Sequence, residues 1–187
     1  MTRQVFDFTK PERFVVGTVG MPGERTFFLQ ARQAGHLTSV ALEKAQAQAL
    51  ADRVDQLLDE VRDRGHDDIV PEGTTGPSDT DPLDAPILEE FRVGAMALGW
   101  DEANLRVVIE AHAVTEEEAA EIPDIGDDET EGPDTLRVWL EPGQARSFAE
   151  RTRAVVAAGR PACPFCSQPL DPDGHVCPRA NGYRRRG

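Results

Sequence analysis

The order of apolar and polar positions divides the chain into two runs of strands, each closed by a helix. Val5-Phe-Asp-Phe8 alternates weakly and predicts a short strand. Phe14 to Val19 predicts a stronger one, and Gly20-Met-Pro-Gly-Glu24 supplies turn residues before Thr26 to Arg32 returns as its hairpin partner. Leu37 to Leu42 is a third strand. From Glu43 to Arg64 the spacing changes: Ala47, Leu50, Ala51, Val54, Leu57, Leu58 and Val61 recur every three or four residues, the stripe of an amphipathic helix that Gly65 ends. His66 to about Pro86 is almost free of apolar side chains and reads as a mobile linker (66–87).

The pattern then starts again. Phe91–Leu98 and Leu105–Ala113 predict a hairpin turning through Gly99 to Asn104, Thr135–Leu140 a third strand, and Gly143–Ala158 a helix. Laid beneath one another, Val40–Val54 and Val138–Thr152 match at Val, Leu, Glu, Gln, Ala, Ala and Arg without a gap. Upstream, Leu29-Gln-Ala-Arg32 matches Ile109-Glu-Ala-His112, and Phe14-Val-Val-Gly17 matches Phe91-Arg-Val-Gly94. The spacing between copies grows along the chain, mostly within 115–134, which holds ten acidic residues and no basic one. That stretch reads as a solvated insertion into the second copy.

Each copy is a β-β-β-α unit whose helix stripe must be buried against a sheet, and one such unit alone is marginal. Two units packed about a pseudo-twofold axis share a core. The expected architecture is therefore α+β: a mostly antiparallel sheet with two helices on one face, over residues 1–159. The copies span about 10–65 and 88–158, and a small C-terminal module occupies 160–187.

Charge separates that module from the body. The chain carries a net −14, yet residues 160–187 hold five arginines and two aspartates. So acidic a body repels nucleic acid and anionic lipid. Met1 to Phe8 lacks the apolar run of a secretory leader, and no stretch approaches a membrane span. Three cysteines crowded into the module fit a metal site in a reducing, cytoplasmic setting better than a disulfide set.

Cys163-Pro-Phe-Cys166 is followed eight residues later by His175-Val-Cys177. A Cys-x-x-Cys turn offers two thiolates to one edge of a tetrahedron, and the turn-rich residues between bring His175 and Cys177 across the ion. Four ligands close the coordination shell, so the expected role of Zn2+ is structural, its binding supplying the roughly 10–16 kcal/mol that so short a segment lacks in core. His-x-Cys departs from the commoner Cys-x-x-Cys, and a water or Asp173 is the alternative fourth ligand. A redox Cys-x-x-Cys lacks its strand-to-helix context here. Beyond the site, Tyr183 and Arg184–Arg186 suit contacts with nucleic acid, but next to so acidic a body the preferred reading is a solubilising tail or one that lies on that body.

Catalytic motifs are not evident. Gly17-Thr-Val-Gly-Met-Pro-Gly23 lacks the Gly-Lys-Ser/Thr of a phosphate loop, no serine stands in Gly-x-Ser-x-Gly, and His36, His66 and His112 are scattered. Glu43 and Glu141 occupy matched helix starts and read as caps. With Arg53 and Arg151 they are also candidates for a symmetric groove at the interface of the repeats. No catalytic residue is assigned.

Phe14-Val-Val-Gly-Thr-Val-Gly20, Arg25-Thr-Phe-Phe-Leu-Gln-Ala31, Leu140-Glu-Pro-Gly-Gln-Ala145 and Cys163-Pro-Phe-Cys…His175-Val-Cys-Pro-Arg-Ala-Asn-Gly182 together resemble an actinobacterial family of unknown function. Its members tend to accompany a lipid-kinase-like protein and a phosphoglycerate-mutase-like phosphatase. The resemblance implies a shared pathway or complex and no catalytic residue. The expected function is a zinc-stabilised cytosolic interaction or adaptor protein. Alternatives are an enzyme or small-ligand binder (a nucleotide or phosphometabolite) between the repeats, and nucleic-acid binding through the tail.

Overall fold

A computed structural model describes residues 2–115, 124–127, 131–159, 163–166, 168, 170, 175 and 177. Among the described residues seven strands and two helices follow one another: β1 (Val5–Phe8), β2 (Arg13–Val19), β3 (Thr26–Gln33), β4 (His36–Leu42), α1 (Lys44–Val61), β5 (Glu89–Asp101), β6 (Arg106–Ala113), β7 (Thr135–Leu140) and α2 (Pro142–Ala157). All seven strands form one sheet in the order β1-β7-β6-β5-β4-β3-β2. The β2-β3-β4 and β5-β6-β7 meanders are antiparallel, while β4 pairs with β5, and β1 with β7, in parallel. The fold is thus α+β and mostly antiparallel, as the periodicity predicts.

The connection from β1 to β2 dictates the shape. These strands lie at opposite edges of the sheet, yet only Thr9–Glu12 join them. Five Cα steps reach at most about 18 Å, so the sheet must curl until its edges approach. Its concave side wraps the helices, which also pack on one another. Phe14, Val16, Phe27, Leu29, Val40, Leu42, Ile109, Val138 and Leu140 meet Leu50, Val54, Leu58 and Phe148 in one core. Phe14 of β2 stacks on Phe148 of α2 at 4.6 Å between centroids, so the second helix closes on the first strand of the first meander.

Helix starts follow the sequence closely. Glu43 and Glu141 are N-caps in reciprocal capping boxes, with Gln46 Oε1 accepting from Glu43 N–H at 2.8 Å and Gln144 Oε1 from Glu141 N–H at 3.2 Å. After Val61 the first helix widens into a single π turn, Arg62–His66, inside which Gly65 adopts φ 107°, a conformation open to glycine.

Two expectations need correction. Residues 66–87 are not a free linker: Val70 joins the core, Pro71 O accepts from Arg146 of α2, and residues 79–84 form a strap across the convex face of β2–β4. Gln30, 1% exposed, donates to Asp84 O at 3.0 Å and accepts from Asp84 N–H at 2.8 Å. Leu83 lies so close over Gly17 that a Cβ there would come within 2.5 Å of it. Arg13 and Arg151 share Asp79, through Arg13 Nε (2.7 Å) and NH2 (3.0 Å) and Arg151 NH1 (2.7 Å), and both also donate to Asp81 O. The strap escapes periodicity because main-chain groups and carboxylates hold it, not an apolar stripe.

The second correction concerns β5, which runs through Gly99 and Trp100 rather than turning there. Gly99 pairs with Val108, and Gly17 pairs with Phe28. Ladder register therefore sets Gly17 against Gly99, not against Gly94, which lies at a bulge. The other matches keep their register: Leu29 faces Val40 as Ile109 faces Val138. The described parts of the acidic stretch are docked as well. Thr2 bridges Glu131, Asp134 accepts from Gln4 N–H at 2.8 Å, and Ile125 lies over Gly99; the rest of that stretch lies outside the described residues.

Asp79→Ala strands two arginines whose side chains are only about a tenth exposed. It is expected to lower stability to urea by about 2–3 kcal/mol, less than a fully buried pair because Asp79 is itself about a third exposed. Asp81→Asn, which keeps the accepting main-chain carbonyl, is expected to change it little.

Candidate metal centre

The C-terminal cysteines are presented by a turn, not by a helix or strand. Cys163 N–H donates to Gln168 O at 2.7 Å, closing the loop over Pro164–Cys166. Within it the Phe165 and Cys166 N–H groups point at the Cys163 sulfur, and together they lower its pKa to about 6 against the effect of burial. Cys166 moves the other way. The Gln168 N–H favours its thiolate, but burial and the Cys163 and Cys177 sulfurs outweigh that and raise its pKa.

His175 and Cys177 return to the same point. Ligand atoms of Cys163, Cys166, His175 and Cys177 all lie within 4.8 Å of one another. Cys163 Sγ and Cys177 Sγ are 3.7 Å apart, and Cys166 Sγ is 3.1 Å from His175 Nε2. A disulfide requires about 2.05 Å, and all three cysteines are free. Sulfurs sharing a tetrahedral zinc with Zn–S bonds of about 2.3 Å stand about 3.8 Å apart, which the Cys163–Cys177 pair matches. The set of three sulfurs and one imidazole nitrogen fits a four-coordinate ion of the zinc type. Cys163 and Cys177 are buried, and Cys166 and His175 are half-buried. Phe165, between the first two cysteines, is 63% exposed.

The sequence profile of one family, described as a protein of unknown function (DUF3090), matches residues 6–177. The chain belongs to that family. No curated protein and no solved structure matches it. The family match spans the curled body and all four candidate ligands, so both parts belong to one family unit.

Other singled-out residues are dispersed. Arg53 is exposed and donates to Gln56, whereas Arg151 is half-buried and bonded to Asp79, so the Glu43, Glu141, Arg53 and Arg151 set does not converge on one groove. Glu43 instead pairs with Arg92 at 3.0 Å. His66 Nε2 lies 2.9 Å from Glu102, which also accepts from Trp100 Nε1 at 2.7 Å, a clip between the end of α1 and the β5–β6 turn. His36 is exposed. Tyr183 and Arg184–Arg186 lie outside the described residues. Among the described residues no helix is long and apolar enough to cross a membrane.

Periodicity gave no sign of a second polar cluster on the convex face of β6 and β7. Glu110, His112, Thr135 and Arg137 are each 3% exposed or less, joined by Arg3 from the N-terminal segment. Glu110-Ala-His112 alternates on a strand and looks like an exposed face; its burial comes from distant segments laid over it.

Native mass spectrometry of the intact chain is expected to find one zinc, lost on chelation. Cys177→Ala and His175→Ala should weaken retention, and cobalt substitution should give the absorption of a tetrahedral thiolate site. An intact chain without metal would contradict the assignment.

Proposed function

We propose that the protein is a zinc-stabilised interaction or adaptor protein of the reducing cytoplasm. Its zinc-ribbon-like end serves as a recognition element on a self-supporting body. The observation that carries this reading is the closed donor set. Cys163, Cys166, His175 and Cys177 satisfy a tetrahedral ion among themselves, leaving no position for a substrate, so the metal's contribution is to fold the turn that presents Phe165. Large exposed aromatic side chains on rigid supports are the usual anchors of protein interfaces.

The same reading takes the body as a duplicated β-β-β-α unit with a pseudo-twofold axis running along the strands. Reciprocal contacts support it. Gln46 of α1 donates to Val93 O and Gly94 O in the opening strand of the second meander. Gln144 of α2 donates to Pro11 O just ahead of the first. Parallel pairing of β4 with β5 agrees with an axis along the strands and not with one normal to the sheet.

A small-ligand binder is the second reading, favoured by a cleft of about 330 Å³ between β2, the strap and α2, lined by Arg13, Asp79, Glu141, Gln144, Ser147 and Arg151. Both arginines are engaged by Asp79, so a phosphate would have to displace that carboxylate, and the cleft ranks behind the interaction reading. Thermal-shift screening against nucleotides and sugar phosphates tests it, and a flat response would count against it.

Partners of first choice are the lipid-kinase-like and phosphatase-like proteins that accompany the resembling family. Sedimentation of the purified chain with each is expected to give a defined complex with one of them. Phe165→Ala should weaken that complex at least tenfold while retaining zinc, the loss of one interface anchor. No complex with either would contradict these partners.

A further inference from the structure

The two meanders carry equivalent polar pairs on their convex faces, and the pairs differ in one respect. In the first, Gln30 faces Ser39 across β3 and β4; in the second, Glu110 faces Arg137 across β6 and β7. Each pair is roofed by a loop whose backbone N–H donates to it, Asp84 N–H to Gln30 Oε1 at 2.8 Å and Gly126 N–H to Glu110 Oε1 at 3.0 Å. The first pair is neutral. Gln30 Nε2 also reaches Ser39 Oγ, at 3.0 Å. The second is ionisable and carries His112 beside it.

Thr135 ties the imidazole to its surroundings. Its Oγ1 lies 3.0 Å from Pro133 O and 2.9 Å from His112 Nδ1, and its one hydroxyl proton serves either. The same oxygen accepts from Arg3 Nε and NH2. His112 Nε2 stands 3.5 Å from Glu110 Oε2, and neither atom has a hydrogen-bond partner among the described residues. Two buried polar atoms thus face each other unsatisfied.

The roof is fastened to this cluster. Gly126 N–H donates to Glu110, and Asp127 O accepts from Arg3 NH1 at 3.1 Å and Arg137 NH2 at 2.5 Å. The charged and titratable groups around the ring are Glu110 on β6, Arg137 on β7, Arg3 on the N-terminal segment and Asp127 on the roof, with Asp124 and Asp134 near the roof's described ends. A proton added to the ring gains the attraction of Glu110 but places a third cation beside two guanidinium groups in a site closed to water. Burial therefore holds the imidazole below its ordinary pKa of 6.5, reinforced by Arg3 and Arg137 and opposed by Glu110.

We propose that Asp124–Asp127 is a proton-operated roof, closed over neutral His112 and lifted when His112 takes up a proton. The equivalent roof over Gln30 is held by Asp79 and Asp84 on Arg13 and Arg32, has no histidine against Gln30 and Ser39, and stays closed. Lifting hydrates the ring, so the open form takes up the proton at ordinary histidine pKa and acid shifts the equilibrium toward it. Acidification thereby exposes the convex face of β6 and β7, and Glu110, Arg137 and Arg3 with it.

The two amides that fasten the roofs provide the test within one molecule. Amide hydrogen exchange of Gly126 and Asp84 is followed by NMR on the full zinc-loaded chain and corrected for the pH dependence of intrinsic exchange. Between pH 7.5 and 5.5, Gly126 protection is expected to fall by up to about tenfold, the limit for a closed form that refuses a proton the open form accepts near pH 6.5. Asp84 protection should stay constant, and His112→Asn should flatten the Gly126 response. Constant Gly126 protection, or an equal fall at Asp84, overturns the proposal. Should His112→Asn fail to fold, the ring nitrogens of the natural chain decide. A ring that stays neutral in the closed form while Gly126 protection falls supports the roof; a ring that takes up its proton with Gly126 protection unchanged overturns it.

Discussion

Four residues, Thr9 to Glu12, impose the constraint on which the rest of the body depends. Because they tie the strands at opposite edges of the sheet, the sheet cannot lie flat, and a curled sheet has two unequal faces. Its concave face is filled by α1 and α2 and is mostly apolar. Its convex face is stretched, carries Gln30, Ser39, Glu110, His112 and Arg137, and would meet water unless something lay across it. The strap from α1 to β5 and the docked parts of the β6–β7 insertion are what lie there. Helix α2 spans the gap at β2, where Arg151 donates to Val16 O at 3.3 Å and Phe148 stacks on Phe14.

What could be read from the chain beforehand follows that division. Concave-face residues obey period two on strands and three to four on helices, so β2–β4, β6, β7 and both helices were legible, as were the Glu-x-x-Gln capping boxes. Strap and roof carry no period. Their hold comes from main-chain groups meeting Gln30 and Glu110 and from Asp79 between Arg13 and Arg151, partners far apart in sequence. The β5 offset went astray for a related reason. Phe91-Arg-Val-Gly94 imitates Phe14-Val-Val-Gly17 in letters, but a bulge at Gly94 and the close approach of Ile125 to Gly99 set the true register. The Cys163, Cys166, His175 and Cys177 cluster was legible because its geometry is local: a Cys-x-x-Cys turn, a turn-rich spacer and a His-x-Cys return.

Stability in this protein comes from two sources. The body buries leucines, valines and phenylalanines in one core and joins its helices with Arg146 on Asp55 and Asp59 and Arg153 on Asp52 and Asp55. Such partly exposed pairs orient the helices more than they stabilise them. The C-terminal turn places two buried cysteines where a metal can draw them together. The proposed division, a body that folds without metal and an end that requires it, is the central claim of this account.

The most direct test is a proton–nitrogen correlation spectrum of the full chain before and after zinc removal. The account predicts that resonances of the strands and helices keep their positions while those of Cys163, Phe165, Cys166, His175 and Cys177 shift or collapse. Loss of dispersion across the whole body on chelation would contradict it, and would mean that the metal holds together far more of the fold than its own turn.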